Sequence, residues 1–304
     1  GNGVSELAPM CLTALLNPGD EILIPSPSYS LWTNAAYLAE ATPVFYRCHQ
    51  ENNWQPDPEE IKSLITERTR AILIINPNNP TGVIYGPELL KELVEVAREN
   101  KLLIFSDEIY DRLLLGDAVH VSTASLCPDL PVITFNGLSK SHVVCGFRCG
   151  WMCVSGPEEL TKDYKAALTA LAAMRLCGNA LTQLVIPAAL EDSAYTKQMM
   201  SPGGRLYEQS KAACDALEKI PGLTFVRNQA AFYVFPKLDV EQFGITDDRK
   251  FALDLLHEKH ILLVAGSGFD WPEPDHFRLV LLPEAHELKK AVEDIGDFLS
   301  TYHQ

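Results

Sequence analysis

The sequence predicts an α/β protein: a mostly parallel sheet with helices on both faces, followed by a smaller C-terminal α+β unit. Two observations support this fold class. Short apolar runs of strand length, such as 71–75 and 102–105, alternate with segments of helical periodicity. A breaker cluster at 201–204, Ser-Pro-Gly-Gly, then marks a change in pattern. Strands that are apolar throughout are typical of a parallel sheet buried on both faces.

The first 200 residues contain the alternating elements. A helix over 5–16 ends at Asn17-Pro18-Gly19. A second helix begins after Asp57, which serves as its N-cap, with Pro58 at the first helical position. We predict strands at 21–25, 42–47, 71–77, 102–108 and 132–137, and further helices at 29–40, 57–65, 87–100, 157–174 and from 180. We therefore assign 1–200 to a large domain.

The last hundred residues mix helices and strands without strict alternation. We predict helices at 205–219, 247–259 and from 284, and strands at 223–228, 231–238, 260–266 and 276–282. This pattern is typical of an α+β unit, so we assign 201–304 to a small C-terminal domain.

Composition excludes several classes of protein. The chain has 304 residues, 47% of them hydrophobic, and a net charge of −15. An acidic surface repels phosphate backbones, so we expect no nucleic-acid partner. No apolar run reaches the roughly 18 residues that span a bilayer, so we expect no membrane partner.

The eight cysteines predict free thiols in a reducing compartment, and hence a cytoplasmic protein. They form no CxxC pair. Cys145, Cys149 and Cys153 have a spacing of four that would suit metal ligands on a helix. Their stretch contains two glycines and is more typical of a loop and a strand, so we expect no metal site.

Two loop motifs are candidates for ligand binding. Residues 1–6, GNGVSE, precede a helix whose free N–H groups would suit a phosphate, although an ordinary helix capped near Ser5 has the same pattern. Residues 76–82, NPNNPTG, follow a strand and form either a rigid turn or a binding loop. There Asn79 offers an amide that both donates and accepts hydrogen bonds.

Two further motifs carry ionisable groups at strand ends. Asp107 follows a buried strand, where a carboxylate is costly unless it is partnered, for example as a helix cap or as a metal ligand. Tyr110 lies three residues later, near enough to share a site. Lys140 follows a strand and a glycine, with Arg148 eight residues on. This pair suggests a Schiff-base lysine with an anion clamp, although a single lysine is commonly a solvated surface residue.

Together the motifs resemble a known family. Asn-Pro-x-Asn-Pro-Thr-Gly, Ser-Asp-Glu-x-Tyr, Ser-Lys and Gly-Phe-Arg-x-Gly-Trp occur here in the order found in class I/II pyridoxal-phosphate aminotransferases of fold type I. The resemblance runs from residue 1 to residue 304. Within the family, the runs 201–209, 269–283 and 299–304 are most similar to bacterial glutamate–pyruvate (alanine) aminotransferases.

The resemblance implies a role for each matching residue. Lys140 would form the Schiff base with pyridoxal 5'-phosphate and then move the substrate proton, while Asp107 would keep the pyridinium nitrogen protonated. Tyr110 would hydrogen-bond the ring 3'-oxygen. Residues expected around the rest of the cofactor are Tyr29 on the ring face, Asn79 at the 3'-oxygen, and Gly3, Val4, Ser5, Ser139 and Arg148 at the phosphate. Arg278, assisted by Asn79, would bind the substrate α-carboxylate in the bidentate geometry that arginine favours.

The resemblance also implies partners and two departures. Amino acids and 2-oxo acids would be the substrates, and the protein would be a homodimer with active sites at the subunit interface. Gly137 stands where many members have a serine three residues before the lysine, so phosphate contacts are expected to differ. The sequence begins at the family's phosphate loop, and we expect the usual preceding segment to be missing.

Three functions are consistent with these residues. The closest resemblance implies transfer of an amino group between L-alanine and 2-oxoglutarate, giving pyruvate and L-glutamate. An alternative is a transaminase or β-lyase acting on another amino acid. A third is a non-catalytic aminotransferase-like sensor domain that binds the cofactor alone. Arg278 and the alanine-type runs favour an enzyme.

Overall fold

A computed structural model describes residues 1–192 and 194–304. Its largest sheet has six strands in the order β2-β1-β3-β4-β5-β6. The strands are β1 (Glu21–Ser26), β2 (Thr42–Arg47), β3 (Thr69–Ile75), β4 (Leu103–Asp107), β5 (Val132–Gly137) and β6 (Gly150–Ser155). The first five are parallel and β6 is antiparallel to β5. The predicted fold class is therefore confirmed.

Helices cover both faces of this sheet, as the alternation of its side chains requires. Along β3, Ala71, Leu73 and Ile75 face one apolar cluster, whereas Ile72 and Ile74 face another. The first cluster contains residues of α1 (Val4–Leu15), α2 (Leu31–Leu38) and α6 (Glu158–Arg175). The second contains residues of α3 (Pro58–Leu64) and α4 (Pro87–Glu99).

The remaining elements surround the sheet and build two small sheets. The helices are α5 (Leu138–Ser141), α7 (Ala180–Gln183), α8 (Ile186–Glu191), α9 (Ala194–Met200), α10 (Arg205–Leu217), α11 (Val240–Phe243), α12 (Asp248–Lys259) and α13 (Ala285–Leu299). The strands are β7 (Leu223–Thr224), β8 (Tyr233–Val234), β9 (Lys237–Leu238), β10 (Val264–Ala265) and β11 (Phe277–Val280). Strands β10, β11 and β8 form one sheet, and β7 pairs with β9. The domain boundary at residue 200 stays a prediction.

Several elements differ from the sequence prediction for identifiable reasons. The single strand predicted at 231–238 is divided into β8 and β9, because Pro236 between them has no N–H to donate. The helical stretch predicted from residue 180 is likewise divided into α7, α8 and α9, with Pro187 in the first turn of α8. By contrast, Asp57 caps α3 as predicted, its carboxylate accepting the Glu59 N–H at 2.9 Å.

Two further findings concern the described residues as a whole. All eight cysteines are free thiols. Within residues 1–192 and 194–304, no helix is both long and apolar enough to cross a bilayer.

Candidate active site

A cavity of about 340 Å³ lies where β3, β4 and β5 end. Such edges of open α/β sheets are the usual ligand sites, because several loops converge there. Ten of the predicted site residues line it: Val4, Ser5, Tyr29, Asn79, Asp107, Tyr110, Ser139, Lys140, Arg148 and Arg278. Gly3 does not line the cavity, but it lies directly before Val4 and contacts the side chain of Arg148. The structure thus brings residues from four separate motifs into one place.

One corner of the cavity suits an anion. Helix α1 begins after Gly3, whose φ of 82° is strained for any other residue. Arg148 Nη2 donates to the Asn2 carbonyl at 2.9 Å and Nη1 donates to Ser139 Oγ at 3.5 Å. A Cβ on Gly3 would lie 2.3 Å from Arg148 Nη2, so only glycine permits this approach. The helix N-terminus and the guanidinium together form a positively charged cradle.

The acidic group of the cavity is Asp107, the last residue of β4. Trp32 Nε1 donates to its Oδ2 at 3.0 Å, and the Ile109 N–H donates to its Oδ1 at 3.3 Å. Burial raises the pKa of Asp107, whereas these two donors and the charge of Lys140 act in the opposite direction. A buried carboxylate of this kind favours a cationic ligand group beside it.

Lys140 lies in α5, which follows β5 directly. Burial is the main cause that lowers the pKa of its ammonium group, and the guanidinium groups of Arg278 and Arg148 lower it further. A lowered pKa increases the fraction of neutral amine, which is the nucleophilic and basic form.

Arg278 of β11 is a further cationic side chain that lines the cavity. Its Nη1 donates to Asn79 Oδ1 at 3.0 Å. Its Cζ lies 4.5 Å from the ring centroid of Tyr233 and 4.6 Å from that of Phe269, so two aromatic rings hold the guanidinium. In the described part of the chain no carboxylate forms an ion pair with Arg278, and its buried Nε has no hydrogen-bond partner. The group therefore remains available for a substrate carboxylate.

The loop that presents Asn79 is fixed by its own side chains. Asn78 Oδ1 accepts from the Thr81 hydroxyl at 2.9 Å, and Asn76 Oδ1 accepts from the Tyr85 N–H at 2.9 Å. Gly82 has a φ of +69°, and a Cβ there would lie 2.5 Å from Asn228 Cβ. The motif therefore forms the rigid turn that was one of the two alternatives, and it places Asn79 at the cavity. Its role as a binding loop stays a prediction.

Three residues that contact the site's polar side chains were not predicted to do so. Tyr233 lines the cavity and its hydroxyl lies 3.0 Å from that of Tyr110, while Trp32 holds Asp107 and Phe269 packs on Arg278. Trp32 follows Tyr29 by three residues, a helical spacing that could have placed both near one site. No local signal marks Tyr233 or Phe269, because each meets its partner through tertiary packing.

Comparison with known proteins is decisive for the family. The family of class I and II aminotransferases matches residues 1–295. The chain belongs to this family. The aminotransferase is 50% identical over 304 residues to glutamate-pyruvate aminotransferase AlaA of Escherichia coli strain K12, covering all of this chain and 75% of that protein. It is 48% identical over 304 residues to alanine aminotransferase of Mycobacterium tuberculosis strain H37Rv, covering 100% and 71%.

A solved structure confirms the architecture. An aminotransferase from Escherichia coli superposes with a TM-score of 0.98 at 50% identity, covering 100% of this chain and 75% of that one. Aminotransferases of this class use pyridoxal phosphate. The residues present fit that group: the cradle at Gly3 suits a phosphate, Asp107 a ring cation, and Lys140 an aldehyde.

Proposed function

We propose that this aminotransferase exchanges an amino group between L-alanine and 2-oxoglutarate, producing pyruvate and L-glutamate. Two relatives at 48–50% identity carry the names alanine and glutamate-pyruvate aminotransferase. The single observation that carries the proposal is the cavity itself, which combines Lys140, Asp107 and an Arg278 with no acidic partner among the described residues. Lys140 suits an aldehyde, Asp107 a ring cation and Arg278 a carboxylate.

Pyridoxal phosphate supplies an aldehyde for the amino group and a ring that accepts electrons from the substrate Cα. The protein's part is to position both molecules and to move one proton. Lys140 would hold the cofactor aldehyde, then accept the Cα proton on Nζ and return it on the cofactor side. The lowered pKa of Lys140 suits this base, because Nζ must be neutral to accept a proton.

The remaining residues would bind and orient. Asp107 would pair with the ring nitrogen and favour its protonated form. Tyr29, half exposed beside the cavity, would cover the ring face. Asn79 and Tyr110 would hydrogen-bond the ring 3'-oxygen. Residues proposed at the phosphate are Gly3, Val4, Ser5, Ser139 and Arg148.

Arg278 would bind the substrate α-carboxylate with help from Asn79. Its bond to Asn79 fixes one edge of the guanidinium, and the rings of Tyr233 and Phe269 fix its plane. A planar guanidinium held in this way matches the two oxygens of a carboxylate. Amino acids and 2-oxo acids share that carboxylate, so one clamp serves both half-reactions.

Steady-state transamination with a panel of donors tests this proposal. L-Alanine should be the best donor with 2-oxoglutarate as acceptor, and Lys140→Ala should lose at least about a thousandfold in kcat. Lys162→Ala, an exposed lysine on α6, is the matched control and should keep wild-type kcat. A strong preference for aromatic or aspartate donors contradicts the alanine assignment. Cofactor binding without turnover of any donor favours a sensor.

We also propose a two-fold homodimer with its active sites at the interface. Large apolar side chains are exposed together between residues 174 and 190, including Met174, Leu176, Leu181 and Leu184. An exposed apolar patch of this kind is typical of an interface. Light scattering should give twice the chain mass of 33.7 kDa, and a monomer at micromolar concentration contradicts the proposal. The cytoplasmic location stays a prediction.

A further inference from the structure

The segment after the 3₁₀ turn Gly266–Phe269 is tied to the loop that leads from β1 into α2. Three hydrogen bonds join them. Thr33 Oγ1 donates to Asp270 Oδ2 at 2.6 Å, Ser26 Oγ donates to the Asp270 carbonyl at 2.7 Å, and the Ser28 N–H donates to the Phe269 carbonyl at 2.8 Å. Two parts of the chain that are about 240 residues apart in sequence are therefore fixed to one another.

The geometry at Asp270 depends on this contact. Its φ of 58° lies in the left-handed region, which aspartate adopts only with a local cost. Thr33 gives the one side-chain hydrogen bond that the described residues offer to the Asp270 carboxylate. Burial raises the pKa of Asp270 and the Thr33 hydroxyl opposes that shift. The bond thus holds a half-buried acid in a strained backbone conformation.

The residue before Asp270 is Phe269, which packs on Arg278. The Phe269 ring centroid lies 4.6 Å from the Arg278 Cζ. Among the described residues, Asn79 alone accepts a hydrogen bond from this guanidinium. Arg278 has no acid to fix it in the described chain, so its position depends on the rings that enclose it. A change in the backbone at Asp270 would shift Phe269, and with it one wall of the clamp.

We propose that Thr33 and Asp270 form a positioning pair that sets Phe269 against Arg278 and so determines the affinity of the site for substrate carboxylates. Neither residue lines the cavity, and both act through Phe269. This inference rests on the proposed role of Arg278 in carboxylate binding. It assigns a function in substrate affinity, without any part in the proton transfer.

Thr33→Val is the main test, because valine has nearly the same shape as threonine and lacks only the hydroxyl. The probe is propionate, which has the carboxylate and carbon chain of alanine but no amino group to transfer. Its Kd is measured by calorimetry at saturating pyridoxal phosphate, beside KM and kcat for L-alanine. We expect Thr33→Val to raise the propionate Kd and the alanine KM about threefold or more, with kcat within about twofold of wild type.

Matched variants separate positioning from general destabilisation. Thr33→Ser keeps the hydroxyl and should restore the wild-type Kd. Thr169→Val removes the hydroxyl of an exposed threonine on α6 and should leave Kd unchanged. If Thr33→Val does not fold, Asp270→Gly removes the same bond and tolerates the positive φ, while Asp270→Asn keeps an acceptor and serves as its control.

A double-mutant cycle with Phe269→Ala gives the decisive outcome. If Thr33 acts through Phe269, Thr33→Val should raise the Kd no further in the Phe269→Ala protein. An unchanged Kd in Thr33→Val, or an equal added rise in the Phe269→Ala background, overturns the proposal. Propionate binding needs no turnover, so the pair can be tested even if the proposed reaction fails. A wild-type protein that binds propionate but releases no pyruvate from alanine would refute the proposed reaction. The effect of Thr33→Val on the propionate Kd would still decide the role of the pair.

Discussion

Trp32 Nε1 donates a 3.0 Å hydrogen bond to Asp107 Oδ2, and both side chains are buried beside the cavity. The indole is held in turn by aromatic packing, with its ring 5.0 Å from Phe135 and 6.0 Å from Phe105 between centroids. A donor fixed in this way limits the rotation of the carboxylate and stabilises its charged form. If Asp107 pairs with the ring nitrogen as proposed, Trp32 would hold its carboxylate in place for that cation.

Trp32→Phe should weaken binding of pyridoxal phosphate. The variant keeps an aromatic ring but removes the N–H, and a hydrogen bond to a charged group contributes about 1.5–3 kcal/mol. We expect the cofactor Kd to rise about tenfold or more, measured by equilibrium dialysis. Trp54→Phe makes the same substitution at a buried tryptophan that gives Asp107 no hydrogen bond, and it should leave the Kd unchanged. An unaltered Kd in Trp32→Phe would show that the bond is incidental.

Gly3→Ala tests the phosphate cradle. The new Cβ would lie 2.3 Å from Arg148 Nη2, so the guanidinium has to move. We expect the Kd for pyridoxal phosphate to rise at least about tenfold. Gly19→Ala is the matched control, because its φ is +83° and nothing lies within 4 Å of a Cβ there. Both variants carry the backbone strain, and equal effects on the Kd contradict a cradle at Gly3.

Two substitutions of Tyr233 separate its hydroxyl from its ring. Tyr233→Phe loses the 3.0 Å contact with the Tyr110 hydroxyl but keeps the ring that lies 4.5 Å from Arg278 Cζ. We expect it to lower kcat a few-fold with little change in the alanine KM. Tyr233→Ala also loses the cation–π contact and should raise KM about tenfold. An equal rise in KM for both variants would contradict this division.

Stability should depend on pH through Glu108, which lies 3.8 Å from His120 between Oε2 and Nε2. Burial raises the pKa of Glu108 from 4.5 to about 7. The unfolded chain therefore ionises first, and the free energy of unfolding falls as pH rises between these values. The full loss is on the order of 3 kcal/mol. Burial lowers the pKa of His120 from 6.5 to about 4. His120 therefore has the opposite effect: the unfolded chain takes up the proton first, and the free energy of unfolding falls as pH falls.

Glu108→Gln isolates that contribution. The amide can still accept the bonds from the Ser106 and Ser122 hydroxyls and the Thr123 N–H, and it cannot ionise. Urea unfolding at pH 5 and pH 8 should show that the variant loses less stability with rising pH than wild type does. His120 is kept in both proteins, so its contribution cancels in first order. Identical pH dependence in the two proteins contradicts a raised pKa at Glu108.

The sequence could predict the site as far as local motifs extend. Asp107 and Lys140 were each placed at a strand end by sequence pattern, and parallel strands end at one edge of a sheet, where the cavity lies. Arg278 was placed by family resemblance rather than by periodicity. The roles of Trp32 and Phe269 were not predicted, because each arises from a contact with a residue elsewhere in the chain. Asp107 lies 75 positions after Trp32, and Arg278 lies nine positions after Phe269. Such pairing depends on tertiary packing, which local patterns do not encode.

The same limit explains the differences in the fold. The large sheet was predictable because its strands are continuous apolar runs, such as Ala71–Ile75 in β3. Strand 231–238 was predicted as one element, yet Pro236 divides it, and the short β8 is defined only by its pairing with β11. Short strands carry too few residues for a period to appear. Their existence depends on the partner strand.

A single-turnover experiment tests the central claim most directly. The purified protein is loaded with pyridoxal phosphate, freed of excess cofactor and mixed with L-alanine without any 2-oxo acid. Pyruvate is then quantified beside the absorbance spectrum of the bound cofactor. We predict about one pyruvate per bound cofactor in the wild-type protein and in Lys162→Ala, and none in Lys140→Ala. Loaded wild-type protein that releases no pyruvate, or Lys140→Ala that releases it at the wild-type rate, would contradict the proposed function.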